Sequence, residues 1–254
     1  MGGHASAKKQ VRRCYLYALV ETTALCDWEA TLGINGEPVY AITEGEVAVI
    51  VSDITESRIR PERRHIAAHH QVLRRLLRMG AILPMAFGII ADNPAAVTRM
   101  LKAYQQSFAD QLRALDGGVE MGLRVTLDVP NVFEYYVRHS TELQVLRDQM
   151  LQESSSHEDK IEVGRRFGQM LDLIRDEALK KIEAVLAPAC FDIRRNPVKG
   201  EKEIANIACL VGRDRLAEFE SKIGEAAKRF DDDHVFQYSG PWPPHNFVKI
   251  DVAL

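Results

Sequence analysis

The stretch that decides the fold runs from Asn93 to Val129 and reads NPAAVTRMLKAYQQSFADQLRALDGGVEMGLRVTLDV. Its first part predicts an amphipathic helix, because Asp92 or Asn93 can cap it and Pro94 suits its first position. Apolar residues then recur every three or four positions, as they do on the buried face of a helix. That face comprises Val97, Leu101, Tyr104, Phe108, Leu112 and Leu115.

A half-buried strand follows this helix. Gly117 and Gly118 end the helix, and apolar and polar residues then alternate from Val119 to Val129, which is the pattern of a strand with one face in a core. Four segments nearer the N-terminus extend the pattern: strand candidates at 14–20, 39–42 and 47–51, and a helix at 61–79. This order of strands and helices predicts a sheet with helices packed on one face, an α+β sandwich of ferredoxin-like type that ends near Pro130.

The remaining chain first becomes helical and then returns to a mixed pattern. Two apolar stripes separated by the serines at 154–156 predict two antiparallel helices, and Ser156 with Asp159 resembles a capping box. After Pro188, strand candidates lie at 191–194, 204–211, 235–238 and 247–252, with one helix among them. The predicted fold class is α+β: two ferredoxin-like α/β sandwich domains connected by an antiparallel helical hairpin. The predicted limits are 1–12 for a flexible tail, 13–130 and 188–254 for the domains, and 131–187 for the hairpin.

Composition limits the classes of partner. The chain has 254 residues, and 33 Lys and Arg against 36 Asp and Glu leave a formal charge of −3, which disfavours nucleic acid as a partner. No apolar run approaches the ~20 residues that cross a bilayer, so we expect no membrane insertion. The four cysteines form no Cys-x-x-Cys pair and lie mostly in apolar stretches, which favours reduced, buried thiols. Residues 1–13 are followed by a strand candidate rather than by a signal-peptide apolar region, so we expect a cytoplasmic protein.

Three histidines are the densest candidates for chemistry. His65, His69 and His70 lie on one predicted helix, and His65 and His69 are spaced as two metal ligands would be. Ile66 follows His65, so a His-Glu-x-x-His motif is absent, and the favoured interpretation is solvated or interfacial histidines. A metal- or small-ligand-binding enzyme that uses this helix is the alternative. The run Asp231 to His234 could hold a cation, but a hydrophilic turn is favoured. We assign no catalytic, cofactor-binding or metal-binding residue.

Arginines dominate the polar face of the same helix. Seven lie between Ser57 and Met79, against Glu62 as the only acidic residue. They could bind an acidic partner surface, with Arg74, Arg75 and Arg78 as the candidate contacts. A charged, solvated helix face is the simpler interpretation.

Two segments are not explained by composition. The first places a proline and a glycine inside an apolar strand: Leu83, Pro84, Met85, Ala86, Phe87 and Gly88. The second is rigid, aromatic and rich in proline: Gly240, Pro241, Trp242, Pro243, Pro244 and Phe247. With these segments the sequence resembles the gas vesicle accessory proteins GvpF and GvpL. The resemblance extends over nearly the whole chain, from the Tyr15-Leu16-Tyr17 strand onward.

This resemblance implies a non-enzymatic accessory or minor structural protein that needs no cofactor and is associated with the gas vesicle. Its expected partners are the small hydrophobic shell protein, which is GvpA-like, and other gas vesicle accessory proteins. Three positions depart from the family pattern. Ala86 stands where the family commonly has Arg, Ile89 where it has Thr, and His245 where it has an aromatic residue. If that Arg makes a polar contact in relatives, this chain lacks the contact at position 86.

Overall fold

Five strands form the first of two sheets. In a computed structural model that describes residues 12–28, 30–150 and 157–250, these strands are β1 (Arg13–Glu21), β2 (Val39–Glu44), β3 (Val47–Ile54), β4 (Ile82–Pro84) and β5 (Ile90–Ala91). They lie in the order β2-β3-β1-β4, with β5 also paired to β1, and every pairing is antiparallel. Residues 14–20 of β1 and 47–52 of β3 are buried without interruption. Both faces of these central strands are therefore covered, as a continuous apolar run permits.

Two helices pack on this sheet. They are α1 (Arg63–Met79) and α2 (Pro94–Ala114). Helix α2 begins as predicted, because the Asn93 side chain accepts a hydrogen bond from the Ala96 backbone N–H at 2.9 Å and Pro94 occupies the first turn. The apolar face of α1 is buried and contacts β1 and β4, which leaves its arginine-bearing face outward.

The second sheet has four strands, and four of the described helices pack around it. The strands β6 (Gly118–Leu127), β7 (Asp192–Arg195), β8 (Glu203–Gly212) and β9 (His234–Trp242) lie in the order β7-β8-β6-β9. The helices are α3 (Val132–His139), α4 (Thr141–Met150), α5 (His157–Leu186) and α6 (Leu216–Ala227). One core joins the inward residues of β6 and β8 to these helices. The α+β class with two sheets is thus as predicted.

The chain forms two compact units. The described residues up to Glu120 and those from Pro241 to Ile250 form the first unit, and Met121–Gly240 form the second. The predicted limits at 130 and 187 follow changes of sequence character, and they stay a prediction. None of the described helices is both long enough and apolar enough to span a membrane.

The first arm of the predicted hairpin is not one helix. It divides into α3 and α4 at Ser140, whose backbone is extended and whose hydroxyl accepts a hydrogen bond from the Leu143 backbone N–H at 3.4 Å. A serine in this role competes with the helical hydrogen bonds and starts a new helix. The serines at 154–156, including the predicted cap at Ser156, lie outside the described residues.

Two other local predictions were wrong. The strand expected at 247–252 does not form in its described part, where a 3-10 turn at His245–Phe247 precedes irregular chain. Side chains, rather than a neighbouring strand, bind the backbone N–H groups of Asn246 and Lys249. Cys26 is exposed, although Cys14 and Cys209 are buried as expected.

Candidate functional site

The segment from Leu83 to Gly88 leaves the sheet and returns to it. Leu83 and Pro84 end β4 opposite Leu19 and Ala18 of β1, at the edge of the sheet, where a proline without an N–H is tolerated. The loop from Met85 to Ile89 then follows β1 without extending the strand. Met85 N–H donates to the Tyr17 carbonyl at 2.8 Å, and the Ile89 carbonyl accepts from Leu16 N–H at 3.0 Å. Gly88 has φ +91°, a conformation that favours glycine.

This loop packs on an aromatic cluster. The rings of Tyr15, Tyr17, His69 and Phe87 lie with centroids 5.0 to 6.1 Å apart. Gly88 N–H donates to the Tyr15 hydroxyl oxygen at 3.1 Å, and that hydroxyl lies 3.0 Å from His69 Nδ1. Burial raises the pKa of Tyr15 and lowers the pKa of His69 to about 4. Both groups are therefore neutral at pH 7, and a hydrogen bond joins the Tyr15 hydroxyl to His69 Nδ1.

The histidine alternative finds no geometric support. His65 is 7% exposed and its two ring nitrogens lie 2.9 Å from the Arg60 carbonyl and 3.1 Å from Asn35 Oδ1. His69 is committed to the aromatic cluster, and the ring of His70 lies edge-on to it at 5.8 Å. Within residues 12–28, 30–150 and 157–250, no three His, Cys, Asp or Glu side chains are grouped to hold a metal ion. The expectation of solvated or interfacial histidines was therefore wrong for His65 and His69, which are buried and hydrogen-bonded within the first unit.

The C-terminal segment begins at the end of β9. Gly240, Pro241 and Trp242 form the end of β9, so this part of the rigid, proline-rich segment is strand rather than a link. Pro243 and Pro244 are buried, and Phe247 N–H donates to the Pro244 carbonyl at 3.1 Å.

Glu120 anchors the chain just beyond these prolines. Asn246 donates to Glu120 through its backbone N–H at 2.8 Å and its side-chain amide at 2.6 Å. Burial raises the pKa of Glu120, and the two Asn246 donors act against that rise.

A second tether follows three residues later. The Gln111 side-chain amide donates to the Lys249 carbonyl at 3.1 Å, and its oxygen accepts from Lys249 N–H at 2.9 Å. A side-chain amide here makes the pair of bonds that a neighbouring strand would make. The segment is therefore fixed on the first unit without being part of a sheet.

Residues 84–89 and 245–250 line one cavity in the first unit. Its volume is about 240 Å³. The lining residues come from the loop after β4 and from the C-terminal segment: Pro84, Met85, Ala86, Ile89, His245, Val248 and Ile250. Apart from His245, their side chains are apolar, so the cavity fits an apolar group. Of the candidate residues in the two segments, only Pro84 lines this cavity, whereas Ala86, Ile89 and His245, the three positions expected to depart from the family pattern, all do.

The remaining candidate residues lie elsewhere. Arg74 and Arg78 are exposed one turn apart on α1, and the Arg75 guanidinium lies 6.0 Å from the Trp28 ring centroid. None of the three lines the cavity. Trp242 is 40% exposed. The structure adds Glu120 and Gln111 as the residues that bind the C-terminal segment. The sequence did not indicate them, because their partners are 126 and 138 residues away.

Comparison with known proteins gives a consistent result. The family model described as "Gas vesicle synthesis protein GvpL/GvpF" matches residues 13–249. Gas vesicle protein F of Streptomyces sp. (strain CB03234) is 30% identical over 92% of this chain and 99% of the relative. Gas vesicle protein L of the same strain is 24% identical over 93% of this chain and 92% of the relative. The crystal structure of GvpF from Anabaena sp. PCC7120 superimposes with a TM-score of 0.79 at 20% identity, covering 94% of this chain and 99% of that one.

Proposed function

Because the chain belongs to the gas vesicle synthesis protein GvpL/GvpF family, we propose that it is a non-enzymatic accessory or minor structural protein of gas vesicle assembly. The resemblance drawn from the sequence is confirmed, and family membership supports an accessory role. The proposed partners are the small hydrophobic shell protein and other gas vesicle accessory proteins. The proposed location is the cytoplasm, in association with the vesicle.

The observation that carries the proposal is the shared cavity. Residues 84–89 and residues 245–250 are more than 150 residues apart in sequence, and they line the same cavity of the first unit, next to the segments that carry the family resemblance. Each is held by dedicated hydrogen bonds, to Tyr15 on one side and to Glu120 on the other. A pre-formed apolar cavity needs little reorganisation to bind, which favours affinity. We infer that an apolar side chain of the shell protein enters it.

Addition of a partner's β-strand at the sheet edge near Pro84 is less well supported. Residues 82–84 are buried, and Pro84 has no N–H to offer an added strand. The cavity mouth, where Ala86 is exposed, is therefore the proposed contact rather than strand addition.

The arginine-bearing face of α1 is proposed as a second contact, with acidic groups of other accessory proteins. Arg74 and Arg78 are exposed on the same side of the helix, and exposed charges steer and align partners more than they add affinity. The two contacts involve different residues, so single variants can separate them.

Co-purification with the shell protein tests the proposal. An Ala86→Trp variant places a large ring at the cavity mouth, and Ala103→Trp, on the exposed side of α2, is the matched control. The wild type and Ala103→Trp should retain the shell protein, and Ala86→Trp should lose most of it while its circular dichroism is unchanged. Equal retention by Ala86→Trp would exclude the cavity as the contact. No retention by any folded form, with the other accessory proteins present, would exclude direct binding.

A further inference from the structure

The second unit contains a separate cavity with an organised polar wall. Its volume is about 370 Å³, within the range of small-molecule sites. Helices α3 and α5, Ile204 of β8 and the turn between α6 and β9 border it. The apolar part of the wall includes Met170, Ile174 and Phe230.

The acidic run noted in the sequence forms one side of this cavity. Asp231 accepts hydrogen bonds from the Tyr135 hydroxyl, from His234 Nδ1 at 2.6 Å and from the Asp233 backbone N–H at 3.2 Å. Burial acts to raise the pKa of Asp231, yet the Tyr135 and His234 donors hold it below its ordinary value. Three donors already satisfy this carboxylate, so it offers little to a cation.

Tyr136 supplies a buried hydroxyl that lacks a partner. The residue lines the cavity and is 5% exposed, and its hydroxyl has no hydrogen-bond partner among the described residues. Burial raises the pKa of Tyr136 to about 12, so the group is a donor at pH 7. A buried donor without an acceptor is costly, and such groups in native proteins call for an explanation.

The cationic groups at this cavity are weakly paired. Lys181 forms no ion pair with any residue that the structure describes, and Arg229 lies 3.8 Å from Glu225, at the limit of an ion pair. Glu177, one turn before Lys181 on α5, is the other carboxylate at the cavity. The cavity therefore carries two cations and two carboxylates, and the oxygens of Asp231 already accept three hydrogen bonds. The Tyr136 hydroxyl and the Lys181 ammonium are donors that lack a partner among the described residues.

We propose that this cavity binds a small amphipathic anion, its apolar body against Met170, Ile174 and Phe230 and its anionic group against Lys181 and Arg229. The Tyr136 hydroxyl donates to the same anionic group after a small local adjustment. The site lies wholly in the second unit and does not depend on the proposed role in gas vesicle assembly.

Isothermal titration calorimetry with decanoate tests this site. Decanoate should bind the full chain with one site, and decyltrimethylammonium, a cation of the same chain length, should not compete. Tyr136→Phe and Lys181→Gln should each weaken decanoate binding about tenfold, which corresponds to about 1.4 kcal/mol. Lys180→Gln, a neighbouring exposed lysine outside the cavity, should leave it unchanged.

Four results would overturn the proposal. Three are the absence of saturable decanoate binding, equal binding by the cation, and equal loss in Lys180→Gln and Lys181→Gln. The fourth is decanoate binding by Lys181→Gln that equals binding by the wild type. Because Lys181 is exposed, Lys181→Gln should fold even if Tyr136→Phe does not.

Discussion

Replacing Asn246 by Ala tests whether Glu120 fixes the C-terminal segment. The substitution removes the amide donor that lies 2.6 Å from Glu120 Oε1 and keeps the backbone N–H that lies 2.8 Å from Oε2. Glu120 is 8% exposed, so water replaces the lost donor poorly. One oxygen of a buried carboxylate would then lack the donor that the amide supplies.

The expected loss of stability follows from the charge on the acceptor. A hydrogen bond to a charged group contributes about 1.5–3 kcal/mol, compared with about 1 kcal/mol for a neutral pair. Since Asn246 itself is exposed and regains water when unbound, we expect a loss of about 2 kcal/mol in the free energy of unfolding of the first unit.

The sign of the pH dependence can also be predicted. Folding raises the pKa of Glu120 above its ordinary value of 4.5, so the folded state binds this proton more tightly than the unfolded state. Ionisation of Glu120 therefore lowers stability as pH rises through the raised pKa. Without the Asn246 amide the pKa rises further, so the deficit of the variant should be greatest at pH 7 to 8 and should shrink towards pH 4.5.

Urea unfolding followed by tryptophan fluorescence measures this loss. Both tryptophans, Trp28 and Trp242, belong to the first unit, so the signal reports on the part of the molecule that the substitution changes. Gln106→Ala is the matched control, because it removes an amide-to-carboxylate bond of 3.0 Å to Asp110 that is exposed. The control should change the free energy of unfolding by less than about 0.5 kcal/mol. A similar small change for Asn246→Ala, or a deficit that does not vary between pH 4.5 and pH 8, would refute the reasoning.

Three further predictions concern the loop, the buried histidine and the arginines. Gly88→Ala forces a side chain into φ +91° and should lower the free energy of unfolding in urea by about 1–2 kcal/mol. Gly164→Ala, in a helix with open space around it, should not destabilise the protein. Equal effects of the two substitutions would contradict the prediction. Since folding lowers the pKa of His69 from 6.5 to about 4, its contribution of about 3 kcal/mol should be present above pH 6.5 and lost as pH falls to 4. That slope should be missing in urea unfolding of His69→Phe. The double variant Arg74→Glu/Arg78→Glu should keep its unfolding free energy within about 0.5 kcal/mol but lose co-purifying acidic accessory proteins, and unchanged retention would rule out this contact.

Local signals explain where the sequence analysis succeeded. The start of α2 was predictable because an Asn cap and a first-turn proline are local features, and the Asn93 side chain makes the expected bond. The strand β6 was predictable because apolar residues alternate along it. The interruption of the apolar strand near Pro84 was predictable because a proline and a glycine lie within it, and β4 ends at Pro84.

The wrong predictions have two causes, contacts with residues distant in sequence and local hydrogen bonds that compete with the helix. The apolar stripe continues from Tyr136 to Leu143 and conceals the break at Ser140, which a serine hydrogen bond produces. The sequence after Phe247 reads as a strand, but Glu120 and Gln111 bind its backbone instead. These partners are distant in sequence, and neither periodicity nor spacing indicates them.

The candidate site was predictable only in part. Both segments were recognised by their composition and family resemblance, but the cavity that residues 84–89 form with residues 245–250 depends on tertiary contacts. Tyr15 and His69 are 54 residues apart and meet only because α1 packs on β1. The favoured interpretation of solvated or interfacial histidines was wrong for His65 and His69, because tertiary packing buries both side chains and gives them hydrogen-bond partners.

The most direct test of the central claim is a photocrosslink from the cavity mouth to the shell protein. A benzoylphenylalanine at position 86, irradiated in cells that assemble gas vesicles, should crosslink to the small shell protein. The same residue at position 103, exposed on α2, should not. Crosslinks of equal yield from both positions, or a shell-protein crosslink from position 103 alone, would contradict the account.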